Sequence, residues 1–483
     1  MDPSQPTTVF DSDRFLLTDI VPLICQQANT FAHRTAVLYA LARTSRLFYE
    51  PALTCLWSEL NSIVPLIKCL PADAWVESRD NLKILSLTRP ILGSDLARMQ
   101  IHARLVKKIT VDSYGGLMIF SDTFEGLGKA LMKERVLFLP NIDELSWSHF
   151  YDHDFAFIGM FLNRNIRKLS IYLSGDFISK PCNRAALIHA LELPKYCPHI
   201  RWLEIGGFPY HDQVPVLIVS RTVCGLTNLH SLSLSSLSPE AFTHVASLPN
   251  LQTLQLTDVG TLSPFTLPIS QSVQFPALQQ AVFSKCRLVE VGTALFHAVS
   301  HSPLKQLCLH INCPSGGELE ECLLQMPYTH HTAHKSLEVL SLVSAMPTME
   351  GSGLFAGMDT DMFAMDDDIS VVENDMLTMD ALRPLFIFTN LSNLTLELTT
   401  GFDVDDMEIG RAWPRLYQFT LWLPKSQIHQ RPRVTLKGVV ALGLLCPNLS
   451  ILSIAFDAST DAVNATAIPQ PGPLAIETNS LLS

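Results

Sequence analysis

A group of histidines and nearby cysteines has side chains of the types that could bind a metal ion. Its members are His330, His331, His334, Cys308, Cys313 and Cys322. Imidazole and thiolate groups are the usual zinc ligands, but structural zinc sites pair their cysteines two to four residues apart. The wider spacing here favours a solvated loop for the histidines and buried positions for most of the cysteines. We expect neither a metal ion nor another cofactor.

The motifs that would indicate an enzyme are missing from the sequence. It contains no Gly-x-Ser-x-Gly, no Gly-rich phosphate loop, no dinucleotide glycine fingerprint and no His-Glu-x-x-His. Asp152, His153 and Asp154 form a polar stretch that a solvated turn explains better than a catalytic site. The sequence therefore predicts a protein that is not an enzyme. An enzyme with its site in loops is the alternative, because a fold does not exclude a function.

The charge balance excludes some classes of partner. Among 483 residues, Asp+Glu number 46 and Lys+Arg 34, which gives a net charge of −12. A general electrostatic attraction to nucleic acid or to an anionic membrane is not expected. The polar N-terminus lacks the pattern of a signal peptide, and no run of about 18 apolar residues occurs. Eleven irregularly spaced cysteines predict no disulfide framework, so we expect a cytoplasmic or nuclear protein.

A short internal repeat is the strongest pattern in the sequence. An apolar residue, two variable residues, an apolar residue, one variable residue and an apolar residue recur, as in Leu229, Leu232 and Leu234. The copies begin at Ile166, Ile200, Leu229, Leu251, Leu278, Leu304, Leu337, Leu391, Leu416 and Leu449, with weaker copies at Leu82, Val106 and Ile142. Proline stands two residues before the first apolar position at Pro140, Pro198, Pro249, Pro276, Pro414 and Pro447. This repeat is typical of leucine-rich repeats.

Each copy is expected to form one short strand of a parallel sheet. Leu232 and Leu234 would point inward, whereas Ser231, Ser233 and Ser235 would point outward. Helical return segments would cover the back of the sheet, which predicts an α/β leucine-rich-repeat solenoid over residues 72–456 with the sheet on its concave face. Scattered strands of an ordinary α/β domain are the alternative, but they do not explain the repeated proline.

The outward strand positions are the candidate surface for binding a protein substrate. They are Lys168, Ser170, Tyr172, Trp202, Glu204, Ser231, Ser233, Thr253, Gln255, Gln306, His310, Ser341, Thr395, Glu397, Gln418, Thr420 and Trp422. The three aromatic residues among them stand out, because exposed aromatic side chains often anchor partners. Cover by neighbouring side chains or loops is the alternative.

Residues 14–71 show helical periodicity instead. Thr18 can cap a first helix with Pro22 in its first turn, and a second helix from about Ala32 would carry Phe48. Pro51 would open a third helix. A short fourth piece would contain Val64, Leu66, Ile67 and Leu70. Such a small helical module must pack on a partner or cap the first repeat, and residues 1–13 before it are expected to be disordered.

The stretch from Leu41 to Leu60 contains Ala42, Arg46, Phe48, then Glu-Pro-Ala-Leu from Glu50, and Leu56-Trp57. It resembles the second half of the F-box in the F-box/leucine-rich-repeat proteins of mushroom-forming fungi. Leu16-Leu17 stands where that family has Leu-Pro, and Ser45 stands where it has Cys.

The resemblance implies a substrate-recognition subunit of a cullin–RING ubiquitin ligase, in which the F-box docks on the Skp-family adaptor. The implied adaptor-binding residues are Leu16, Ile20, Ile24, Leu38, Leu41 and Phe48. A repeat scaffold whose F-box no longer binds the adaptor is the alternative.

Two further segments interrupt or follow the repeats. Residues 345–382 are acidic and rich in methionine, and predict a mobile loop, with a short partner-binding motif as the alternative. Residues 457–483 predict a disordered tail.

Overall fold

The computed structural model has an α/β fold, in which parallel strands alternate with short helices. It describes residues 9–78, 84–112, 118–119, 121–148, 154–172, 191–206, 213–258, 275–286, 299, 301–311, 320, 323–324, 335–344, 376–397, 401–403, 406–422, 436–454 and 475–476. The chain divides into two compact units, Met1–Pro209 and Tyr210–Ser483. No helix in these ranges is both long and apolar enough to cross a membrane.

Three helices open the first unit and share a small core. They are α1 (Val9–Ala28), α2 (Arg34–Thr44) and α3 (Arg46–Ser58). The core consists of small or aliphatic side chains that are at most 4% exposed, namely Cys25, Ala28, Leu38 and Ala52. Leu41 and Phe48 pack against it and are partly buried. The three helices, called the helical module below, thus have an apolar interior of their own.

The boundaries of these helices differ from those predicted. Helix α1 starts at Val9, inside the segment expected to be disordered, so Thr18 is not a cap and Pro22 lies in the helix interior. The hydroxyl of Ser45 accepts a hydrogen bond from the backbone N–H of Leu47 at 3.2 Å and caps α3. Pro51 therefore lies inside α3 instead of opening it. Serine is a strong cap, and each proline removes only one backbone donor.

The chain passes directly from α3 into a parallel sheet. The strands of the first unit are β1 (Glu59–Leu60), β2 (Trp75–Glu77), β3 (Ile84–Leu87), β4 (Lys108–Asp112), β5 (Met118–Ile119), β6 (Glu144–Ser148), β7 (Lys168–Tyr172) and β8 (Trp202–Gly206). The parallel sheet has the order β1-β4-β6-β7-β8. The helices between the strands are α4 (Val64–Ile67), α5 (Leu96–Ala103), α6 (Ser121–Glu134) and α7 (Leu193–Tyr196).

One weak copy of the repeat does not join this sheet. The copy predicted at Leu82 contributes β3, which pairs antiparallel with β2 and parallel with β5 in a separate three-stranded sheet. The place beside β4 is already taken, since Glu59 of β1 pairs with Lys108. The sheet therefore begins immediately after the helical module, earlier than the repeats in the sequence indicated.

The second unit repeats the parallel arrangement over a longer span. Its strands are β9 (Ser231–Leu234), β10 (Thr253–Leu256), β11 (Gln280–Cys286), β12 (Gln306–Ile311), β13 (Val339–Ser344), β14 (Met376–Thr378), β15 (Asn393–Glu397), β16 (Gly401–Asp403), β17 (Gln418–Trp422), β18 (Ile451–Ile454) and β19 (Ala475–Ile476). All of them join one parallel sheet in chain order, except β14 and β16, which pair with each other. Its helices are α8 (Gln213–Cys224), α9 (Pro239–Ala246), α10 (Met379–Leu382), α11 (Asp406–Ala412) and α12 (Leu436–Leu445).

Equivalent positions of the repeat pair with each other. Leu232 pairs with Leu254, and Leu307 pairs with Leu340. These apolar positions are 0–2% exposed, so each of these strands has one buried face. The residues between them lie on the opposite side, which is called the open face below. The predicted burial of Leu232 and Leu234 is confirmed, and Ser233 between them is partly exposed, whereas Ser231 is buried.

The prolines before the strands occupy tight turns. The backbone N–H of Ile142 donates to the carbonyl of Leu139 at 3.4 Å, with Pro140 at the second position of the turn. Equivalent bonds join Ile200 to Cys197 and Leu449 to Cys446. Proline is favoured at this position of a β-turn because its φ angle is fixed near the required value. The prolines thus set the direction in which the chain enters each strand.

A second recurring contact links each repeat to the next. The carbonyl of Lys107 accepts hydrogen bonds from the backbone N–H groups of Asp143 at 2.7 Å and Glu144 at 3.0 Å. In the second unit, the carbonyl of His230 accepts from Gln252 at 2.8 Å and Thr253 at 3.1 Å. The same pair of bonds holds each of these strands in register with its neighbour.

The acidic segment lies between two strands that are direct neighbours. Leu340 of β13 pairs with Leu394 of β15, although the corresponding copies of the repeat are far apart in the sequence. Residues 345–375 lie outside the described part of the chain. Met379, Ala381 and Leu382 at the end of the expected insert are buried on α10. The last residues of the segment therefore belong to the folded unit.

Deleting Gly351–Asp375 is expected to leave the second unit folded. The β13–β15 pairing uses none of these residues, and shortening the chain between two paired strands changes the closure entropy by only about 0.6 kcal/mol per twofold change in length. Thermal unfolding followed by circular dichroism should give an unchanged or slightly higher midpoint. Insoluble protein, or a markedly lower midpoint, would show that the segment is part of the core.

The C-terminal tail also differs from the expectation. Ala475 and Ile476 form β19, which pairs in parallel with Ile451 and Leu452 of β18. This short strand adds to the edge of the sheet, where unpaired backbone groups are available. The other residues predicted to form the disordered tail lie outside the described ranges.

An ion network connects the helical module to the sheet. The carboxylate of Glu59 lies 2.5 Å from Nη1 of Arg34 on α2 and 2.9 Å from Nζ of Lys108 on β4. The hydrogen bond from Lys108 and the charge of Arg34 lower the pKa of Glu59, against the opposing effect of burial. The backbone N–H of Lys107 also donates to the carbonyl of Ser58 at 2.8 Å. The module is thereby fixed to the first strands of its own unit.

Glu59→Gln is expected to destabilise the first unit by about 1 kcal/mol at pH 7, since both ion pairs are partly exposed. Because folding lowers the pKa of Glu59, its contribution is complete above the ordinary value near 4.3 and is lost as the pH falls through the folded value. Urea titrations should show that the difference in the free energy of unfolding between wild type and Glu59→Gln is smaller near pH 3 than at pH 7. Glu125→Gln, which removes an exposed ion pair with Lys129 on helix α6, is the control. A destabilisation by Glu59→Gln that does not change with pH would contradict a stabilising role of the Glu59 charge.

Candidate functional site

Charged side chains on the open face of the first unit form a paired row. Glu59, Lys108, Glu144 and Lys168 occupy the same position on successive strands and alternate in sign. Nζ of Lys108 lies 2.9 Å from Oε1 of Glu59, and Nζ of Lys168 lies 3.7 Å from Oε2 of Glu144. Opposite charges on adjacent strands stabilise a sheet modestly. The charges of this row therefore form ion pairs with each other.

The row ends at a group of aromatic and polar residues on β7 and β8. Lys168 pairs with Trp202, Ser170 with Glu204, and Tyr172 with Gly206. Tyr172 is 41% exposed and Trp202 is 50% exposed. We call Ser170, Tyr172, Trp202 and Glu204 the β7–β8 platform.

Glycine at position 206 shapes this platform. A Cβ atom there would lie 3.4 Å from Cδ1 of Tyr172, so the tyrosine ring lies directly over the glycine backbone. Ser170 is buried, and its hydroxyl donates a hydrogen bond to Oε2 of Glu204 at 3.1 Å. The two aromatic rings thus flank a carboxylate that is held by a neighbouring hydroxyl group.

The environment of Tyr172 reflects the negative charge of Glu204. Burial, the hydrogen bond to Glu204 and the charge of Glu204 together raise the pKa of Tyr172 to about 12. The phenol therefore stays protonated and acts as a donor to the carboxylate. No cationic side chain forms an ion pair with Glu204 among the residues that the structure describes.

The open face of the second unit has a different chemistry. Nδ1 of His310 lies 3.1 Å from Oγ of Ser284, and the hydroxyl of Thr253 donates to Oε1 of Gln280 at 3.4 Å. Gln255 lies two residues after Thr253 on β10 and is half-buried. This face is polar and largely uncharged over its described strands. Gln255 and His310, predicted in the same substrate surface as the platform residues, belong to the other unit.

Some predicted outward residues are less accessible than their position implies. Ser170, Ser231 and Thr420 are at most 8% exposed, because a short side chain within a sheet is covered by longer neighbours on the adjacent strands. The backbones of Glu397 and Trp422 pair at the ends of β15 and β17. The side chains of these two residues lie outside the described part of the structure.

The histidine and cysteine cluster is represented by Cys308, which is half-buried on β12. His330, His331, His334, Cys313 and Cys322 lie outside the described residues, as do Asp152 and His153. Within the described part of the chain, no three His, Cys, Asp or Glu side chains are grouped so that they could hold a metal ion.

The helical module presents a second candidate surface. Ile20, Leu23 and Ile24 are 42–60% exposed and lie three and four residues apart on α1, so they share one side of the helix. Phe31 after α1 is also exposed. Isolated exposed apolar residues are ordinary, whereas Ile20, Leu23 and Ile24 form an apolar patch of the kind found at protein–protein contacts.

The structure separates the predicted adaptor-binding residues into two groups. Ile20 and Ile24 are exposed, whereas Leu38 is fully buried in the module core and Leu41 and Phe48 pack against that core. Leu38 therefore holds the helices together and does not belong to a docking surface. Leu16 lies on α1, but its side chain is outside the described part. Leu23, which is not among the predicted adaptor-binding residues, is the most exposed of the three apolar residues on α1.

The chain matches no model of a protein family, and it matches no curated protein.

Proposed function

We propose that this chain is a non-catalytic substrate-recognition subunit of a cullin–RING ubiquitin ligase. The helical module would dock on a Skp-family adaptor as an F-box does. The strands would be leucine-rich repeats of a solenoid, whose open face would hold a protein substrate. The repeat register, with inward leucines and turns containing proline, supports the solenoid.

The exposed apolar side of α1 is the observation that carries this proposal. The module already has its own core of Cys25, Ala28, Leu38 and Ala52, yet Ile20, Leu23 and Ile24 stay outside it. Fully burying one such side chain contributes about 1.5–3 kcal/mol. Three of them on one helix would supply the apolar centre of an interface with a folded partner.

One feature favours a second function, that of a repeat scaffold. The Arg34–Glu59–Lys108 network and the direct passage of α3 into β1 fix the module to the sheet. A module held in this way would also serve as a cap for the first repeat, which otherwise exposes an unpaired strand edge. In that alternative, the module would cap the repeats and would not bind the adaptor.

Co-expression with the Skp-family adaptor of the same host separates the two functions. Affinity capture of the chain followed by size-exclusion chromatography should give one peak that contains both proteins in equal amounts. A folded chain that elutes without the adaptor would reject the ligase function and leave the scaffold. Circular dichroism of the same sample establishes that the chain is folded.

A further inference from the structure

We propose that the β7–β8 platform binds an arginine side chain of a protein partner. This inference rests on the proposed function, because it gives the substrate of the open face a chemical class. The guanidinium group would lie against the ring of Trp202 and form hydrogen bonds with the carboxylate of Glu204. Tyr172 would close the other side of the site.

The first argument is the state of the Glu204 carboxylate. Glu59 and Glu144 on the same face have lysine partners, whereas Glu204 is hydrogen-bonded by Ser170 and Tyr172. Two hydroxyl donors leave part of the acceptor capacity of a carboxylate open. A half-buried carboxylate in this state favours a donor that also carries a positive charge.

The second argument is the pair of exposed rings beside it. Trp202 precedes Glu204 by two residues on β8, so their side chains point to the same face about 7 Å apart. Tyr172 lies on the neighbouring strand, over Gly206. Tryptophan faces attract cations, and the planar guanidinium both stacks on such a ring and binds a carboxylate with two hydrogen bonds. Lysine offers a single point charge and matches this arrangement less well.

The third argument is electrostatic. Lys168 is the nearest cation of the row, and its Nζ lies 3.7 Å from Oε2 of Glu144. Its charge is therefore partly compensated within the sheet. The chain as a whole has a net charge of −12, which favours the approach of a basic segment.

The test uses the full-length chain and three fluorescein-labelled peptides. One alternates arginine with glycine, the second alternates lysine with glycine, and the third alternates citrulline with glycine. Citrulline has nearly the shape of arginine without its charge. Fluorescence anisotropy at about 0.15 M salt suppresses long-range attraction between exposed charges. The arginine peptide should bind most tightly, and Glu204→Gln should weaken its binding about tenfold or more. Trp202→Ala should weaken it several-fold.

Glu240→Gln is the matched control, because it removes the same charge from an exposed position on α9. It should change the affinity for the arginine peptide by less than about twofold. Equal losses in Glu204→Gln and Glu240→Gln would show non-specific attraction and overturn the proposal. Equal binding of the lysine peptide, or no binding of the arginine peptide, would overturn it as well.

The adaptor experiment distinguishes a failure of this inference from a failure of the ligase function. Glu204→Gln should co-purify with the adaptor as well as wild type does, because the substitution lies outside the helical module. An adaptor complex without arginine binding rejects the platform alone. Arginine binding without an adaptor complex supports the platform and rejects the ligase function.

Discussion

Leu232→Asp is expected to destabilise the second unit by roughly 3–5 kcal/mol, the usual cost of an uncompensated buried charge. Leu232 is completely buried on β9, and its neighbour across the strands is Leu254. An aspartate side chain there would have apolar neighbours and no positive partner. The effect should be measured by urea titration with circular dichroism, as a lower unfolding midpoint or, at the extreme, as loss of soluble protein.

Ser233→Asp is the control for this substitution. Ser233 is the next residue on the same strand, lies on the open face and is partly exposed. The same aspartate should cost about 1 kcal/mol or less there, because its charge stays in contact with water. Similar midpoints for the two variants would contradict the register of β9, since a shift of one residue exchanges the two faces.

Ile20→Asp is expected to abolish capture of the Skp-family adaptor while leaving the chain folded. Ile20 is 45% exposed on the apolar side of α1 and is not part of the module core. A charge at the centre of an apolar interface typically costs at least about 2 kcal/mol, and each 1.4 kcal/mol lowers affinity tenfold. Competition with labelled wild-type chain for a limiting amount of adaptor measures this loss.

Met132→Asp is the control for the adaptor experiment. Met132 is 81% exposed on α6, outside the helical module, and the change in side-chain polarity is similar. The control variant should capture the adaptor like wild type. Phe48→Ala is less informative, because Phe48 packs against the module core and its loss also weakens the fold. Unchanged capture by Ile20→Asp would show that α1 is not the docking surface.

The register of the sheet is the part of the fold that could be predicted from the sequence. Alternation with a period of two is a local property, so Leu232 and Ser233 could be assigned to opposite faces without knowledge of their neighbours. The prolines added an independent signal, because their restricted φ angle suits only certain turn positions. The structure places Pro140 in such a turn.

The pairing of the first strands could not be predicted in this way. The copy at Leu82 has the pattern of a sheet strand, but β1 competes for the place beside β4 and occupies it. Strand pairing is decided by contacts between distant residues. The two-residue strand β1 is also too short to have a pattern of its own. The predicted helix boundaries were wrong for a related reason, since Pro22 and Pro51 are tolerated inside helices that pack on a common core.

The candidate sites were predicted only as lists of residues. The pattern places Tyr172, Trp202 and Glu204 on one face, but the hydrogen bond from Ser170 to Glu204 depends on which strands are neighbours. In the helical module, periodicity identifies the apolar residues without showing which side meets the other helices. Leu38 was therefore predicted in a docking surface, although it lies in the core.

The acidic segment between β13 and β15 also bears on how the second unit folds. In a stack where each strand pairs with its neighbours, folding proceeds by adding one repeat at a time, and each addition closes a loop. The stretch of chain between Leu340 and Leu394 is roughly twice as long as the corresponding stretches before it, which adds about 0.6 kcal/mol to the entropic cost of that step. This cost corresponds to about a threefold difference in the equilibrium for pairing β15 with β13, so we expect the acidic segment to affect the folding of the second unit only slightly.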